Sequence, residues 1–281
     1  MINVQDRPTR TTPRLKWHML RRHKSDAAFL RENLALALHS GAACEVDIVL
    51  SADGHALCLH DDTLDRETTG HGRVADATRA TIERCRQRGA DGAALDSAPL
   101  FLDEVAAAVA ALGTVAPASV QLDVKSPAQA LTKGALDRIA RVLRDHADAF
   151  IASAYEWETV QRFVAAAPGL HAGFDPLAFY PSTLELDAEG FRKVAARTLA
   201  TAPNASIYYL EAKLIVAALA HDVDLVKEVT GAGAQVDAWT IDADHPQLCG
   251  VLRRLIDVGC RQITSNDPER LQRLIERLQA R

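Results

Sequence analysis

The chain has 281 residues, 48% of them hydrophobic, with a formal net charge of −5 and a pI near 6.1. That length and apolar content suffice for the core of one large α/β domain. The acidic balance, with no Lys/Arg cluster tracking an aromatic stripe, excludes nucleic acid as the expected partner.

Residues 1–13, rich in Arg, Thr and Pro, are expected to form a flexible N-terminal tail ahead of a single domain over 14–281. They contain no apolar run of signal-peptide length, and no later stretch approaches a membrane span. The expected location is therefore cytoplasmic, with at most peripheral contact with lipid. The five cysteines, Cys44, Cys58, Cys85, Cys249 and Cys260, lack any metal-ligand spacing and are expected as reduced, small, buried thiols.

In chain order, LKWH (15–18) reads as a first strand and DAAFLRENLALALHSG (26–41) as a helix closed by glycine. ACEVDIVL (43–50) reads as a strand, SADG as a turn and HALCLH (55–60) as a returning strand. FLDEVAAAVAALG (101–113) is a predicted helix, SVQLDVK (119–125) a strand, KGALDRIARVLRDHA (133–147) a helix and AFIAS (149–153) a strand. YEWETVQRFVAAAPG (155–169) precedes a short strand at HAGF. The later units include AQVDAWTI (234–241), a helix near HPQLCGVLRRLIDVG, the strand RQIT (261–264) and a closing helix DPERLQRLIERLQA. About eight β segments alternating with helices predict an α/β fold, a single-domain (βα)8 TIM barrel. The longest irregular stretch, 62–98, has the length of a functional loop, and with 175–187 it is expected to shape the pocket.

Barrel enzymes carry their chemistry at the C-terminal strand ends. Side chains alternate across a strand, so Glu45 and Asp47 share one face, as do Asp123 and Lys125. Buried like charges need compensation, and the three carboxylates Glu45, Asp47 and Asp123 supply the hard oxygens that Mg2+ or Ca2+ takes. His18 closes the first strand and His60 the returning strand, giving two groups that exchange protons near neutral pH. Lys125 adds a point charge for an anionic oxygen, and Trp239 lies late in the seventh barrel strand. The combination suits a phosphate ester. His71, in TTGHGR, is the remaining histidine best placed to meet substrate, and Tyr208 and Tyr209 are candidates for the pocket wall or for the core.

The order HML (18–20), EVDI (45–48), SADG (51–54), HDDTLDRETTGHG (60–72), PLFLDE (99–104), DVK (123–125), WTID (239–242) and TSNDP (264–268) resembles the glycerophosphodiester phosphodiesterase family. The resemblance implies a metal-dependent phosphoric diester hydrolase acting on a small-molecule phosphodiester. It makes His18 and His60 the catalytic pair, with His18 as base and His60 as acid, and Glu45, Asp47 and Asp123 the ligands of a divalent cation. Lys125 and Trp239 match substrate-contacting positions, Asp61 supports His60, and Asp65 and Arg66 pin the long loop. Met19 and Leu20 stand where the family has Arg-Gly, and the third acid is Asp rather than Glu. Arg21 or Arg22 is a candidate replacement for the missing arginine, and Arg22 is assigned to the substrate. His-Met and Asp-x-Lys are also similar to the sphingomyelinase D-type phospholipases. The alternatives are thus a lipid phosphodiesterase that leaves a cyclic phosphate, or a phosphodiester-binding barrel without turnover.

Overall fold

Each β-rich run of the sequence pairs with the next across an intervening helix, because parallel neighbours need a crossover connection and an amphipathic helix supplies it. The computed structural model describes residues 12–113, 115–231 and 233–279, so the expected tail lies almost wholly outside the described residues. The strands are β1 (Arg14–Trp17), β2 (Ala43–Leu50), β3 (Ala56–Cys58), β4 (Val120–Val124), β5 (Phe150–Ser153), β6 (His171–Phe174), β7 (Ile207–Glu211), β8 (Gln235–Trp239) and β9 (Gln262–Ser265). Eight of them form a parallel ring in the order β1, β2, β4, β5, β6, β7, β8, β9, closed because β1 pairs with both β2 and β9. β3 lies outside the ring, antiparallel to β2. This is a closed (βα)8 TIM barrel and a single domain.

The helices are α1 (Arg31–His39), α2 (Arg79–Ile82), α3 (Leu102–Leu112), α4 (Lys133–Leu143), α5 (Trp157–Ala166), α6 (Ala188–Thr201), α7 (Ala212–Ala220), α8 (Leu225–Thr230), α9 (Leu248–Asp257) and α10 (Pro268–Gln279). Two large apolar clusters lie between this helical layer and the outer faces of the strands. Trp17, Val46, Ile48 and Leu122 occupy one and Leu15, Val236 and Ile263 the other. The period-two rule sends their sequence neighbours Lys16, Glu45, Asp47, Gln121, Asp123, Asp237 and Thr264 inward, and all are buried.

The first helix begins at Arg31 rather than Asp26. Asp26 instead accepts the backbone N–H groups of Arg22 and His23, each at 3.0 Å, and Phe29, in the left-handed region at φ 56°, donates its N–H to the Met19 carbonyl at 2.7 Å. Those bonds make 18–30 an ordered loop over the barrel mouth.

The long loop has its own small core. Leu64, Val74 and Ile82 pack on Val49, Leu57, Leu59 and Phe101. Asp65 ties its turn by accepting from the His71 ring and the Gly72 N–H, each at 3.0 Å. In the SADG turn Gly54 takes φ +75°, with Ala135 of α4 only 3.2 Å from where its Cβ would sit. All five cysteines are free thiols, three of them buried. Among the described residues no helix is long and apolar enough to cross a membrane.

Candidate active site

β2 and β4 pair in register, Glu45 opposite Gln121 and Asp47 opposite Asp123. Glu45, Asp47 and Asp123 each offer a carboxylate oxygen, and those oxygens lie within 4.8 Å of one another at the mouth. Asp47 is fully buried, and neither of its oxygens accepts a hydrogen bond. Lys125 Nζ stands 3.0 Å from Asp47 Oδ1 in an ion contact and also pairs with Asp123. Burial pushes the Asp47 carboxyl up to about 7; Lys125 opposes the rise, while Glu45 and Asp123 add to it. A divalent cation fits this donor set. The ligands are hard oxygens, they are close enough to share one ion, and one carboxylate is buried with open lone pairs.

A hydrogen-bonded floor supports the three acids. Ser153 donates to Asp123 Oδ1 at 2.8 Å, and Gln121 Nε2 donates to Ser153 Oγ at 2.8 Å. The Gln121 amide oxygen accepts from Lys16, a fully buried lysine. Lys16 Nζ is 3.4 Å from Glu45 Oε2, 3.1 Å from Asp237 Oδ2 and 4.4 Å from the centre of the Tyr209 ring. Burial alone would depress the Lys16 ammonium, but Asp237 and Glu45 outweigh it and hold the group above its ordinary value. Tyr209 fills the barrel beneath the mouth, and Gly173 is glycine because a Cβ there would meet the Tyr209 ring at 2.6 Å. Tyr208 faces the other way and donates its hydroxyl to the Ala202 carbonyl at 2.7 Å. Neither tyrosine walls the mouth.

The two histidines are held differently. His18 Nδ1 lies 2.8 Å from Asn266 Oδ1, and Asn266 is itself oriented by donating Nδ2 to Asp242 at 3.1 Å. An amide oxygen only accepts, so His18 carries its proton on Nδ1 and turns Nε2 inward, 3.9 Å from Glu45 Oε1. His60 Nδ1 lies 2.9 Å from Asp61 Oδ1, and Arg66 clamps Asp61 with bonds of 2.6 and 2.7 Å. Those bonds hold the Asp61 carboxyl down to about 2. His60 likewise presents Nε2, with a carboxylate behind it. His71, whose side chain is 80% exposed, is bound to Asp65 on the surface of the long loop and does not join them.

Arg22 does not join them either. Its Nε pairs with Glu269 of α10 at 2.5 Å, outside the mouth. The arginine that turns inward is Arg21, which donates to Asn266 Oδ1 at 3.2 Å and keeps a buried Nε without a partner. The cause is the turn after His18: Met19 and Leu20 both take left-handed backbone, at φ 52° and 55°, which rotates Arg21 toward the site and Arg22 away.

The far side of the mouth carries the expected Trp239 together with acids that strand alternation did not select. Asp175 follows β6, Glu211 ends β7, and Trp239 ends β8 opposite Glu211. Trp239 Nε1 is buried without a hydrogen-bond partner, and the buried Tyr180 hydroxyl faces Glu211. Burial pushes the Asp175 carboxyl well above the usual range, with Asp123 adding to the effect. Applying the period-two rule backwards from His18 and Trp239 would have found Lys16 and Asp237. Asp175 and Tyr180 lie beyond strand ends, where no period reaches.

A Mycobacterium tuberculosis protein, whose name reads probable glycerophosphodiester phosphodiesterase 1, is 36% identical over 100 residues. The aligned segment is 33% of this chain and 35% of that protein, so the match spans about a third of the relative's length. A glycerophosphodiester phosphodiesterase structure from Parabacteroides distasonis superposes with a TM-score of 0.67 at 17% identity, covering 96% of this chain and 99% of the other. An Oleispira antarctica phosphodiesterase structure, in complex with the product sn-glycerol-3-phosphate, has a TM-score of 0.67 at 19% identity, with 94% and 97% covered. At those identities the two structures speak for the fold. The sequence model of the glycerophosphoryl diester phosphodiesterase family matches residues 32–270. That span takes in β2 to β9 and every acid of the mouth, and the chain belongs to the glycerophosphoryl diester phosphodiesterase family.

Proposed function

We propose that this barrel hydrolyses a glycerophosphodiester to an alcohol and glycerol phosphate, with a divalent cation, Mg2+ or Ca2+, held by Glu45, Asp47 and Asp123. The observation that carries the reading is the fully buried Asp47 carboxylate, in ion contact with Lys125 on Oδ1 and open on Oδ2, with an oxygen within 4.8 Å of those of two more acids. The family relatives support the same substrate class, and the Oleispira antarctica enzyme is described with glycerol phosphate as its product. When bound, the cation supplies Lewis-acid polarisation of a phosphate oxygen and a template for its position.

The remaining roles fall to the chain itself. Lys125 and Arg21 meet the other phosphate oxygens, and Trp239 flanks the ester. His18, with Nδ1–H fixed on the Asn266 amide, turns Nε2 toward the acids and is assigned as the base. His60, with the Asp61 carboxylate on its Nδ1 side, is assigned as the acid. Ser153, the serine bonded to Asp123, is fully buried in the floor beneath the acids and held by Gln121, so the nucleophile comes from substrate or water. A vicinal hydroxyl tethered beside phosphorus has an effective concentration that water lacks. The reaction is therefore read as cyclisation to a cyclic phosphate, followed by its opening with the histidine roles exchanged.

Glycerophosphodiesters fit better than dispersed lipid. Leu36 and Tyr155 are the large apolar side chains most exposed among the described residues, and only Tyr155 stands at the mouth. A single exposed ring makes no lipid-docking patch. The test is turnover of a glycerophosphodiester and its 2-deoxy analogue with Mg2+ or Ca2+, followed by phosphorus NMR. Cleavage of the parent with a transient cyclic species supports the reading. A deoxy analogue cleaved as fast as the parent refutes the cyclic route, and no cleavage with either ion refutes the activity.

A further inference from the structure

A cavity of about 280 Å³ lies outside the mouth, between the start of β3 and the helices α2, α3 and α4. Leu102 and Ile139, both buried, and the half-buried Val142 give it an apolar wall. Its charged side carries Arg79, Arg138 and Arg141 against one carboxylate, Asp103. The three arginines are held differently. Arg79 is neutralised, with Nε 2.7 Å from Glu83 Oε1 and Nη1 2.8 Å from Asp103 Oδ2, so it takes up the one acid of the cavity. Arg141 is exposed and donates Nε to the Asp137 carbonyl at 3.2 Å. Arg138 reaches only the Asp53 carbonyl, through Nη2 at 3.5 Å, and its Nε is buried without an acceptor. Among the described residues no carboxylate pairs with Arg138 or Arg141.

His55 adds a neutral donor to the same wall. Its Nδ1 lies 3.4 Å from Arg79 Nη1, which can only donate, so the ring proton sits on Nε2. Asp53 Oδ2 is 4.0 Å from that nitrogen, beyond hydrogen-bond reach. Burial and the charge of Arg138 hold the ring below its ordinary value, which keeps it neutral. A buried donor without an acceptor is costly, and two guanidinium groups with no carboxylate between them add repulsion. Water would satisfy the donor but would leave the charge uncompensated and the apolar wall wet. An oxyanion on an apolar body removes all three costs, and the guanidinium fork suits a carboxylate or a phosphate. The ligand is small, because the cavity falls below the ~300 Å³ at which sites for drug-sized molecules begin.

We infer that this cavity is a second binding site, for a small alkyl oxyanion. Its carboxylate or phosphate head lies between Arg138, Arg141 and His55 Nε2–H, and its alkyl body covers Leu102, Ile139 and Val142. The site uses neither the cation nor the histidines of the mouth, so it stands apart from the phosphodiesterase reading above.

The experiment is calorimetric titration of the full chain in EDTA at pH 7.5, with hexanoate, acetate, butyl phosphate, inorganic phosphate and 1-hexanol. Each anion with an alkyl body is expected to bind at least about tenfold more tightly than its head alone, since a buried methylene is worth about a fourfold gain. The uncharged 1-hexanol is expected to bind far more weakly than hexanoate. The tighter of hexanoate and butyl phosphate identifies the head as carboxylate or phosphate. Arg138→Met is expected to weaken that ligand by about tenfold or more, the range for a lost charge-assisted hydrogen bond, and Arg141→Gln by several-fold. Arg141 is exposed, so Arg141→Gln decides alone if Arg138→Met fails to fold by circular dichroism. No binding of either alkyl anion, or no gain from the alkyl body, would overturn the inference. Binding unchanged in either folded variant would place the anion elsewhere, at the mouth for instance, and would overturn it too.

Discussion

Replacing Asp47 by Asn tests the cation site without an activity assay. Burial takes the Asp47 carboxyl from an ordinary value of 3.8 up to about 7. A gap of that size corresponds to about 4 kcal/mol, at 1.36 kcal/mol for each pKa unit. The sign follows from proton counting. Between those two values the folded chain binds the proton and the unfolded chain does not, so this group makes the cation-free protein less stable as pH rises from about 4 to about 7. Asn cannot ionise. In EDTA at pH 8, Asp47→Asn is therefore expected to be more stable than wild type by up to a few kcal/mol, with the difference vanishing near pH 4. Excess Mg2+ or Ca2+ should reverse the order. An ion at about 100 times its dissociation constant adds about 2.7 kcal/mol to a protein that binds it, and the variant has lost its most deeply buried ligand. The assay is urea unfolding followed by far-UV circular dichroism, at pH 5 and pH 8, with EDTA or with each ion. A variant less stable than wild type in EDTA at pH 8, or an undiminished gain on adding the ion, would refute the reasoning.

Other perturbations have equally definite outcomes. His18→Ala and His60→Ala are each expected to lower kcat by about 10²- to 10⁴-fold with unchanged circular dichroism, and the double variant should lose far less than the product, since the two act as a unit; near-full activity in either would remove that histidine from the mechanism. Asp61→Asn should lower kcat by about 10- to 100-fold, by analogy with loss of the partner that orients a ligand histidine, and should move the alkaline limb of the pH–rate profile to lower pH, because His60 as the acid must carry its proton; an unchanged profile would mean that Asp61 does not act through His60. Lys16→Met removes the cation between Glu45 and Asp237 and should cost about 3–5 kcal/mol of stability, as for one partner of a buried ion pair; an unchanged urea midpoint would count against that network.

The fold and the acidic triad were legible because both follow from a period of two. Glu45 and Asp47, like Asp123 and Lys125, are spaced so that a strand must put them on one face, and the β2–β4 register does the rest. The same rule would have reached Lys16 and Asp237, but a lysine two residues before His18 carries no motif, and its partners become evident only once the ring closes. Sequence does not decide between Arg21 and Arg22 as the substitute arginine, because the choice depends on the left-handed backbone at Met19 and Leu20. Asn266 was quoted within TSNDP without a role, since an amide acquires one only from the imidazole it faces. Asp175 and Tyr180 lie in connections whose course no local pattern sets.

The turn after His18 shows how the family pattern can be departed from while the histidine stays in place. At Met19 and Leu20, the positions that the sequence resemblance matches to an Arg-Gly pair, this chain has left-handed backbone, a conformation that glycine adopts freely and that costs other residues about 1–2 kcal/mol each. The opposing term is burial. Met19 is 4% exposed and Leu20 is fully buried, both within the main apolar cluster, and burying such side chains is worth about 1.5–3 kcal/mol each. The two terms nearly balance, with burial slightly ahead. Side-chain packing thus holds a bend that glycine would allow by its own freedom, and a packed bend is a fixed one. The Phe29 N–H to Met19 carbonyl bond and the Asn33 bond to the Leu20 carbonyl at 2.9 Å fasten it further. The arginine is recovered two positions later, because two left-handed residues in succession carry Arg21 back over the mouth, where its guanidinium and His18 share Asn266 as their acceptor.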